Sequence, residues 1–427
     1  MSKVIDRIIT PVGSIPKKWN KIVLQDVSEF ITKGATPTTY GFEWVEKGIP
    51  FLRSECVSET GFNEKGLAHI SEEANDALQR SKVNSDDILI SITGNVGRVA
   101  IFPKYLKVGN INQHIARVRV LDQDICDRKY IYFQLTRNEY RKYYDGITTG
   151  AAYPQLSLKQ IRETPIYFPP LPTQRKIATI LSAYDDLIEN NLKRIKLLEE
   201  KAQLTYEEWF VRMKFPGHET AKFDEESGLP EGWEKVRLVD CCDLTMGQSP
   251  KSEFYNDEGK GLPFHQGVKD YGFRFPTNAS WSTQGSRVAE ENSILFSVRA
   301  PVGRLNVAIE KIILGRGLAS INHKKGWNSF VLYQLQNIFF EDNLMGGGAI
   351  FSSVTKKDVE GIKLIHATDQ INKAFNDIAT SLDDSIKNLT KQNQLLKEAR
   401  DILLPRLMSG MIDVDELGVK LEEIETK

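Results

Sequence analysis

An α+β fold is expected: two β-rich globular domains separated by two long antiparallel coiled-coil helices, in a pseudo-two-fold duplicated chain. Three observations lead there. Short motifs recur in one order about half the chain apart. Each half opens with Gly, Pro and short β-branched runs. Each half then turns abruptly into a Lys/Glu/Leu-rich stretch with 4-3 apolar spacing.

The repeat rests on matched segments. Ile15-Pro16-Lys17-Lys18-Trp19 matches Leu229-Pro230-Glu231-Gly232-Trp233, and a Leu-x-Asp follows each, at Leu24/Asp26 and Leu238/Asp240. Gly34-Ala35-Thr36-Pro37 matches Gly247-Gln248-Ser249-Pro250, and Gly48-Ile49-Pro50-Phe51 matches Gly261-Leu262-Pro263-Phe264. The longest match aligns residues 87–98, ending Gly97-Arg98, with 293–304, ending Gly303-Arg304. Thr149-Gly150-Ala151 then matches Gly347-Gly348-Ala349, and Asp185-Asp186 matches Asp383-Asp384. The offset falls from 214 at Ile15/Leu229 to 198 at Asp185/Asp383, as small loop deletions would produce.

Composition shifts set the expected boundaries. Residues 1–172 form a first domain and 173–213 a first long helix; 214–367 form a second domain and 368–412 a second helix. An acidic tail, 413–427, follows. The first helix should begin where the prolines stop, after Pro169-Pro170-Leu171-Pro172, and Pro405 should kink or close the second.

The helical stretches carry a heptad seam. Ile177, Tyr184, Asn191, Leu198 and Thr205 alternate with Leu181, Ile188, Ile195, Ala202 and Trp209. A shift of 198 reproduces the seam from Phe375 to Leu407. Five heptads argue for a coiled coil, with helices packed separately on their own domains as the alternative. An antiparallel register pairing residue numbers that sum to 584 sets Asn191 against Asn393, Tyr184 against Arg400 and Trp209 against Phe375. An Asn–Asn layer satisfies amides that a Leu/Ile seam would strand, and so specifies register. Forty helical residues would span about 60 Å. The duplication implies an approximate two-fold axis near Lys193 and Lys391.

Bulk composition is restrictive in other ways. The chain has 427 residues, 56 Lys+Arg against 57 Asp+Glu and a net charge of −1, so no overall basic excess announces nucleic-acid binding. The charge is unevenly spread: about +4 before Pro172, about −1 in the second domain and about −4 in the tail. Cys56, Cys126, Cys241 and Cys242 show no metal-ligand spacing and are expected as reduced thiols. No apolar run approaches the ~20 residues of a membrane span, and the first residues lack a signal-peptide core; a cytoplasmic protein without membrane contact is expected.

Enzyme signatures are lacking. There is no G-x-x-x-x-G-K-[ST] phosphate loop and no G-x-G-x-x-G after a strand. The six histidines have no acidic partners at metal-ligand spacing, so no catalytic, cofactor or metal residues are assigned. Phe168-Pro169-Pro170-Leu171 lacks the polar first residue of an amino-methyltransferase loop and reads as a rigid connector; Met345-Gly346-Gly347-Gly348 reads as a turn.

Amide and basic side chains are more informative. Lys33, Thr36, Arg53, Asn95, Arg98, Asn112, Gln113 and His114, with Arg117 and Arg119, fall near expected turns or strand ends of the first domain. Gln248, Lys251, His265, Gln266, Arg299, Arg304 and Arg316 take comparable places in the second. Arg, Asn and Gln carry the donor and acceptor pairs that read guanine and adenine edges in the major groove, and Lys and Arg neutralise phosphates. The frame positions match between copies while the rest diverges, which suits two readers of two different targets.

With these motifs in hand, nearly the whole chain resembles the specificity (S) subunit of type I restriction–modification enzymes. The markers are the Leu229–Trp233 opening, the Gly-x-Ser/Thr-Pro pairs, Arg299-Ala300-Pro301-Val302-Gly303, the run from Pro169 through Gln174-Arg175-Lys176-Ile177, and Leu403-Leu404-Pro405-Arg406-Leu407-Met408-Ser409-Gly410. Two departures are Thr173, where an acidic residue is usual, and His366-Ala367-Thr368, which lacks the double proline and suggests a less rigid second junction. The resemblance implies two target-recognition domains, each reading half of a split sequence in double-stranded DNA, with helices that set the spacer. It also implies a chain without catalysis of its own. Partners would be two methyltransferase (M) subunits, using S-adenosylmethionine to methylate adenine N6, and restriction (R) subunits using ATP and Mg²⁺. A specificity component of a type II B-like system, or a scaffold binding proteins through the coiled coil, are the alternatives.

Overall fold

The computed structural model describes residues 6–121, 126–150, 153–339 and 353–415. Ala151, the Gly347-Gly348-Ala349 match, the Met345–Gly348 turn and the tail beyond Asp415 lie outside them. The described chain divides into two compact units, one from 1–189 with 394–427 and one from 190–393. Four helices organise them: α1 (Arg128–Leu135), α2 (Leu171–Tyr206), α3 (Asn328–Ile338) and α4 (Asp369–Met408).

The first unit is built on β1 (Asn20–Val23), β2 (Ser28–Lys33), β3 (Trp44–Leu52), β4 (Ile88–Ser91), β5 (Val108–Ile111), β6 (Ile115–Val120) and β7 (Pro165–Phe168). Strands β4, β6 and β2 form an antiparallel sheet with Val99–Ile101 at its edge. Ile88, Leu89, Ile90 and Ser91 of β4 are all buried, which is why that strand reads as a continuous apolar run rather than an alternation. A second sheet sets β3 parallel to β5, so that Leu52 and Ile111 end side by side. Pairing of β1 with β7 brings the chain back to the start of α2.

The second unit repeats this plan with β8 (Glu234–Arg237), β9 (Cys242–Met246), β10 (Leu262–His265), β11 (Ile294–Ser297), β12 (Ile312–Leu314), β13 (Leu318–His323) and β14 (Lys363–His366). The order β9-β13-β11 reproduces β2-β6-β4, β10 lies parallel to β12, and β8 pairs with β14. The repeat extends to side chains. Gln134 of α1 donates to the Tyr167 carbonyl of β7, and Gln334 of α3 accepts from the Ile365 amide of β14 at 2.6 Å. Ser91 and Ser297 each accept from the amide of the following arginine, Arg98 at 3.0 Å and Arg304 at 2.8 Å.

Each unit buries its domain core against a stretch of helix. In the first, Trp19, Ile88, Val118, Tyr130 and Phe168 pack with Ile177 and Leu181 of α2 and Leu407 and Met408 of α4. In the second, Trp233, Phe296, Phe330 and Leu364 pack with Ile195 and Tyr206 of α2 and Phe375 and Ile386 of α4. Tryptophans at matched positions therefore occupy matched places in the two cores.

The long helices differ from expectation at their ends. α2 begins at Leu171, two residues early, because proline is tolerated in a first helical turn, where its missing N–H leaves no bond unmade. It closes in a π-helical turn, Glu207–Val211. Pro405 lies inside α4, which ends one turn later at Met408. The second junction, expected to be loose, is fastened by the Asn372 amide, which accepts from Ala367 N at 3.2 Å and donates to Ala367 O at 3.0 Å. Gln174 performs a similar task beside the prolines of the first junction, donating to Pro169 O at 2.9 Å.

Heptad positions Ile177, Leu181, Ile188, Ile195, Ala202, Phe375, Ala379, Ile386 and Leu389 are buried. Asn191 Nδ2 donates to Asn393 Oδ1 at 2.9 Å, and the Trp209 and Phe375 rings lie 5.9 Å apart. The layer is made by one hydrogen bond, since Asn393 Nδ2 is buried without a partner. Arg400 pairs with Asp185 at 2.6 Å.

Candidate nucleic-acid interface

Three loops of the first domain converge where β3 and β5 end. The first follows β2. Gly34 N donates to Ile115 O at 3.3 Å and Ala35 N to Ile111 O at 3.2 Å. A Cβ on Gly34 would stand 1.9 Å from the Ile111 carbonyl oxygen, so only glycine permits this approach. The second loop leaves β3 at Leu52, whose carbonyl accepts from Asn112 N at 3.0 Å. The third is residues 112–114, and His114 O accepts from Ile92 N at 2.9 Å, drawing in the turn that holds Asn95.

Side chains link the same loops. Thr36 Oγ1 donates to Gln113 Oε1, whose amide nitrogen lies 3.2 Å from the His114 ring. Asn112 is buried, and its Oδ1 accepts from His114 N at 3.1 Å, bracing the loop. Arg53 is exposed, with its guanidinium 4.9 Å from the Trp44 ring centre. Lys33, Gln113 and Asn95 are also exposed. The result is an edge rich in amide, imidazole and guanidinium groups held by backbone bonds.

The second domain builds the same edge from different side chains. Gly247 N donates to Leu318 O and Gln248 N to Leu314 O, both at 2.9 Å, and a Cβ on Gly247 would stand 2.2 Å from the Gly315 carbonyl oxygen. Gly315 N donates to His265 O at 2.8 Å and Gly317 N to Gln266 O at 3.1 Å. Ser249 Oγ, at the place of Thr36, donates to Gln266 Oε1 at 2.8 Å and accepts from Arg316 N at 3.2 Å. Gln248, Gln266, Arg299 and Arg316 are exposed, and Arg299 and Arg316 line one recess with Met246, Val298, Ser353 and Val354.

Not every residue singled out in the sequence joins these edges. His265 is sealed at 0% exposure, with Nε2 3.1 Å from Asn278 Oδ1 and Nδ1 3.7 Å from Asp270; burial lowers its pKa, so it braces the edge as a neutral ring. Arg117 and Arg119 lie within β6 rather than at a turn. Arg117 is buried over the Phe30 ring and donates to Arg80 O at 3.1 Å, with burial pulling its pKa down to about 10. Arg119 forms a bidentate pair with Asp87, both bonds at 2.7 Å. Arg98 instead shares Glu59 with Arg141, at 3.2 and 3.1 Å, in a pocket lined also by Tyr132, Asp185 and Arg400. Arg304 is exposed after the matching turn, and Lys251 is exposed 3.9 Å from Glu253. Sequence reasoning passed over Ser249, Tyr40 and Tyr153. Tyr40 closes the turn that begins at Thr36, and Tyr153 precedes Pro154, whose carbonyl accepts from Gly94 N; both rings are well exposed. The Gly-x-Ser/Thr-Pro motif held the signal for Ser249.

Among the described residues no group of three or more His, Cys, Asp and Glu could hold a metal ion, and no helix is long and apolar enough to cross a membrane. The fold and its two matched edges define a duplicated protein of two like domains. Comparison with known proteins gives the family. The type I restriction modification DNA specificity domain matches residues 16–200 and again 230–398. A Methanocaldococcus jannaschii protein assigned as the MjaX type I restriction enzyme specificity subunit is 31% identical over 95% of this chain and 96% of its own length. The MjaIX specificity subunit of the same organism is 27% identical over 96% of each chain. The crystal structure of a type I restriction–modification S subunit from M. genitalium shares the fold at a TM-score of 0.58 and 16% identity, covering 95% of this chain and 97% of that one. This chain belongs to the type I specificity-subunit family.

Proposed function

We propose that this chain is the DNA sequence-specificity subunit of a type I restriction–modification complex, a component without catalysis of its own. Each domain reads one half of a bipartite target in double-stranded DNA through its loop edge. One observation carries this reading: the two domains present the same three-loop edge on the same strand order, with unlike side chains. Thr36, Arg53, Gln113 and His114 occupy one edge; Ser249, Gln266, Arg299 and Arg316 occupy the other. Such groups make paired hydrogen bonds to base edges, each worth roughly 1–3 kcal/mol of discrimination. Lys33 and Lys251 would hold phosphates and position the domains.

The helices set the spacer between the half-sites, and the complex supplies the chemistry. Two methyltransferase subunits would use S-adenosylmethionine to methylate adenine N6, and restriction subunits would use ATP and Mg²⁺; such a complex works in the cytoplasm. An exposed apolar stripe supports two copies of one partner. Leu197 and Leu204 of α2 are more than half exposed, and the offset of 198 maps them onto Leu395 and Ile402 of α4, which are exposed to the same degree. Equivalent stripes suit equivalent subunits. Replacing Leu197 and Leu204 by Glu should cost one methyltransferase subunit, and replacing all four should cost both, measured by the mass of the assembled complex.

The deciding experiment sequences methylated adenines in DNA from cells with and without the gene. A split motif that disappears with the gene supports the reading. Unchanged methylation, with the methyltransferase partner expressed, rejects it in favour of a protein-binding scaffold.

A further inference from the structure

The repeated aspartates Asp185 and Asp383 take different partners. Asp185 receives Arg400 from α4. Asp383 receives Arg274, which comes from the second recognition domain itself. Arg274 is 5% exposed. Its Nη2 also donates to Tyr333 Oη of α3 at 3.2 Å, and its Nη1 lies 3.9 Å from Glu199 of α2. Asp383 is further bound by Tyr333 Oη at 2.7 Å and Ser329 Oγ at 2.6 Å. One domain arginine thus meets both long helices inside the second unit.

The segment carrying Arg274 is itself tied to the reading edge. Arg274 O accepts from Val307 N at 2.9 Å, and Asn306 donates to Gly272 O at 3.0 Å, fastening the segment to the strand beside β11. Upstream, a single turn, Val268–Asp270, separates it from Gln266 of the candidate interface. Among the described residues of the first domain, none pairs with Asp185 in this way, and Arg400 of α4 takes that place. Aligned on Gln134 and Gln334, Phe133 stands where Tyr333 is and Lys129 where Ser329 is, so neither position carries the hydroxyl that reaches the helix aspartate in the second domain.

We infer that Arg274 is a positioning residue that locks the angle of the second recognition domain on α2 and α4, and so narrows the range of spacer lengths the protein accepts. The inference rests on the proposed function. A buried guanidinium bonded through Nη2 to both Asp383 and Tyr333 resists rotation in a way apolar packing does not, because any tilt strands a buried charge. Half-site reading lies in the loop edge and does not depend on it.

The test places Arg274→Met, Arg274→Lys and Tyr333→Phe at the chromosomal gene and maps adenine methylation. Wild type should mark one spacer. Arg274→Met should keep both half-site sequences yet raise methylation at spacers one base pair longer or shorter by about tenfold, with smaller rises for the other two. A folded Arg274→Met with unchanged spacer selectivity overturns the inference. Should Arg274→Met fail to accumulate, unchanged selectivity in Arg274→Lys and Tyr333→Phe overturns it equally. In the purified full chain, the distance distribution between spin labels at Lys269 and Lys391 should broaden in Tyr333→Phe, and an unbroadened distribution counts against the lock. If wild type marks no split motif, the function fails, while the label distances still decide whether Arg274 holds the domain.

Discussion

At the scale of single residues, two polar sites on the helices, one buried and one partly buried, have measurable consequences. Asn191 and Asn393 share one hydrogen bond in a largely apolar seam. Asn191→Leu should destabilise the chain by about 1–3 kcal/mol, because it leaves the Asn393 amide buried and unbonded. The double leucine variant should recover that loss while weakening register. Thermal unfolding of the three variants checks both statements, and oxidation of an Asn191→Cys/Asn393→Cys chain should crosslink it. Glu199 is the second case. Burial raises its pKa to about 7 although Arg274 is near, since that guanidinium is committed to Asp383. A carboxyl raised above its unfolded value holds its proton longer in the folded state, so it costs stability as pH climbs from about 4.5 to about 7. Glu199→Gln should therefore be more stable than wild type at pH 8, by up to roughly 3 kcal/mol, and much closer to it at pH 5. Urea midpoints at the two pH values decide.

At the scale of elements, the loop edges depend on glycines that let one strand end cross another. Gly34→Ala and Gly247→Ala would each press a methyl group into a carbonyl oxygen. Each should displace its loop, lower the melting temperature and abolish methylation at the split motif, whereas Ala35→Gly, beside the contact, should do little. The motif Gly-x-Ser/Thr-Pro was legible in sequence, and so were the strands and the duplication. The sequence did not reveal why the glycine is there, because its neighbour Ile111 is 77 positions away and reaches it only through the antiparallel pairing of β2 with β6, which sets Lys33 opposite Ala116. Arg117, Arg119 and His265 were misplaced for the same reason. A polar side chain on a strand reads as surface until Phe30, Asp87 or Asn278 is known to lie against it.

For the whole molecule, the proposed spacer function predicts a response to helix length. Inserting four residues, about one turn or ~6 Å, after Leu198 with a matching insertion in α4 should lengthen the spacer in the methylated motif. Half-site sequences should stay the same. A shorter or unaltered spacer in an active complex would contradict a ruler made of these helices. Net charge says little at this scale: the value of −1 conceals a first domain with a slight basic excess and a second without one. On the proposed function, DNA binding by the second domain would rest on local groups such as Arg299 and Arg316, and substituting both should weaken binding and flatten its salt dependence.

What the sequence determined by itself is what repeats locally or by translation along the chain. The heptad seam, the Asn pair, the matched tryptophans and the two-part plan are of that kind, since helix periodicity is written over consecutive turns and a duplication can be matched without knowing the fold. Tertiary structure alone decided which residues share an edge and which are enclosed. Loops 34–36, 52–53 and 112–114 meet only after non-local strands pair, and Arg274 meets Asp383 only after the second domain packs on its helices. Contacts between residues a hundred positions apart leave no period to read, so their geometry has to be seen.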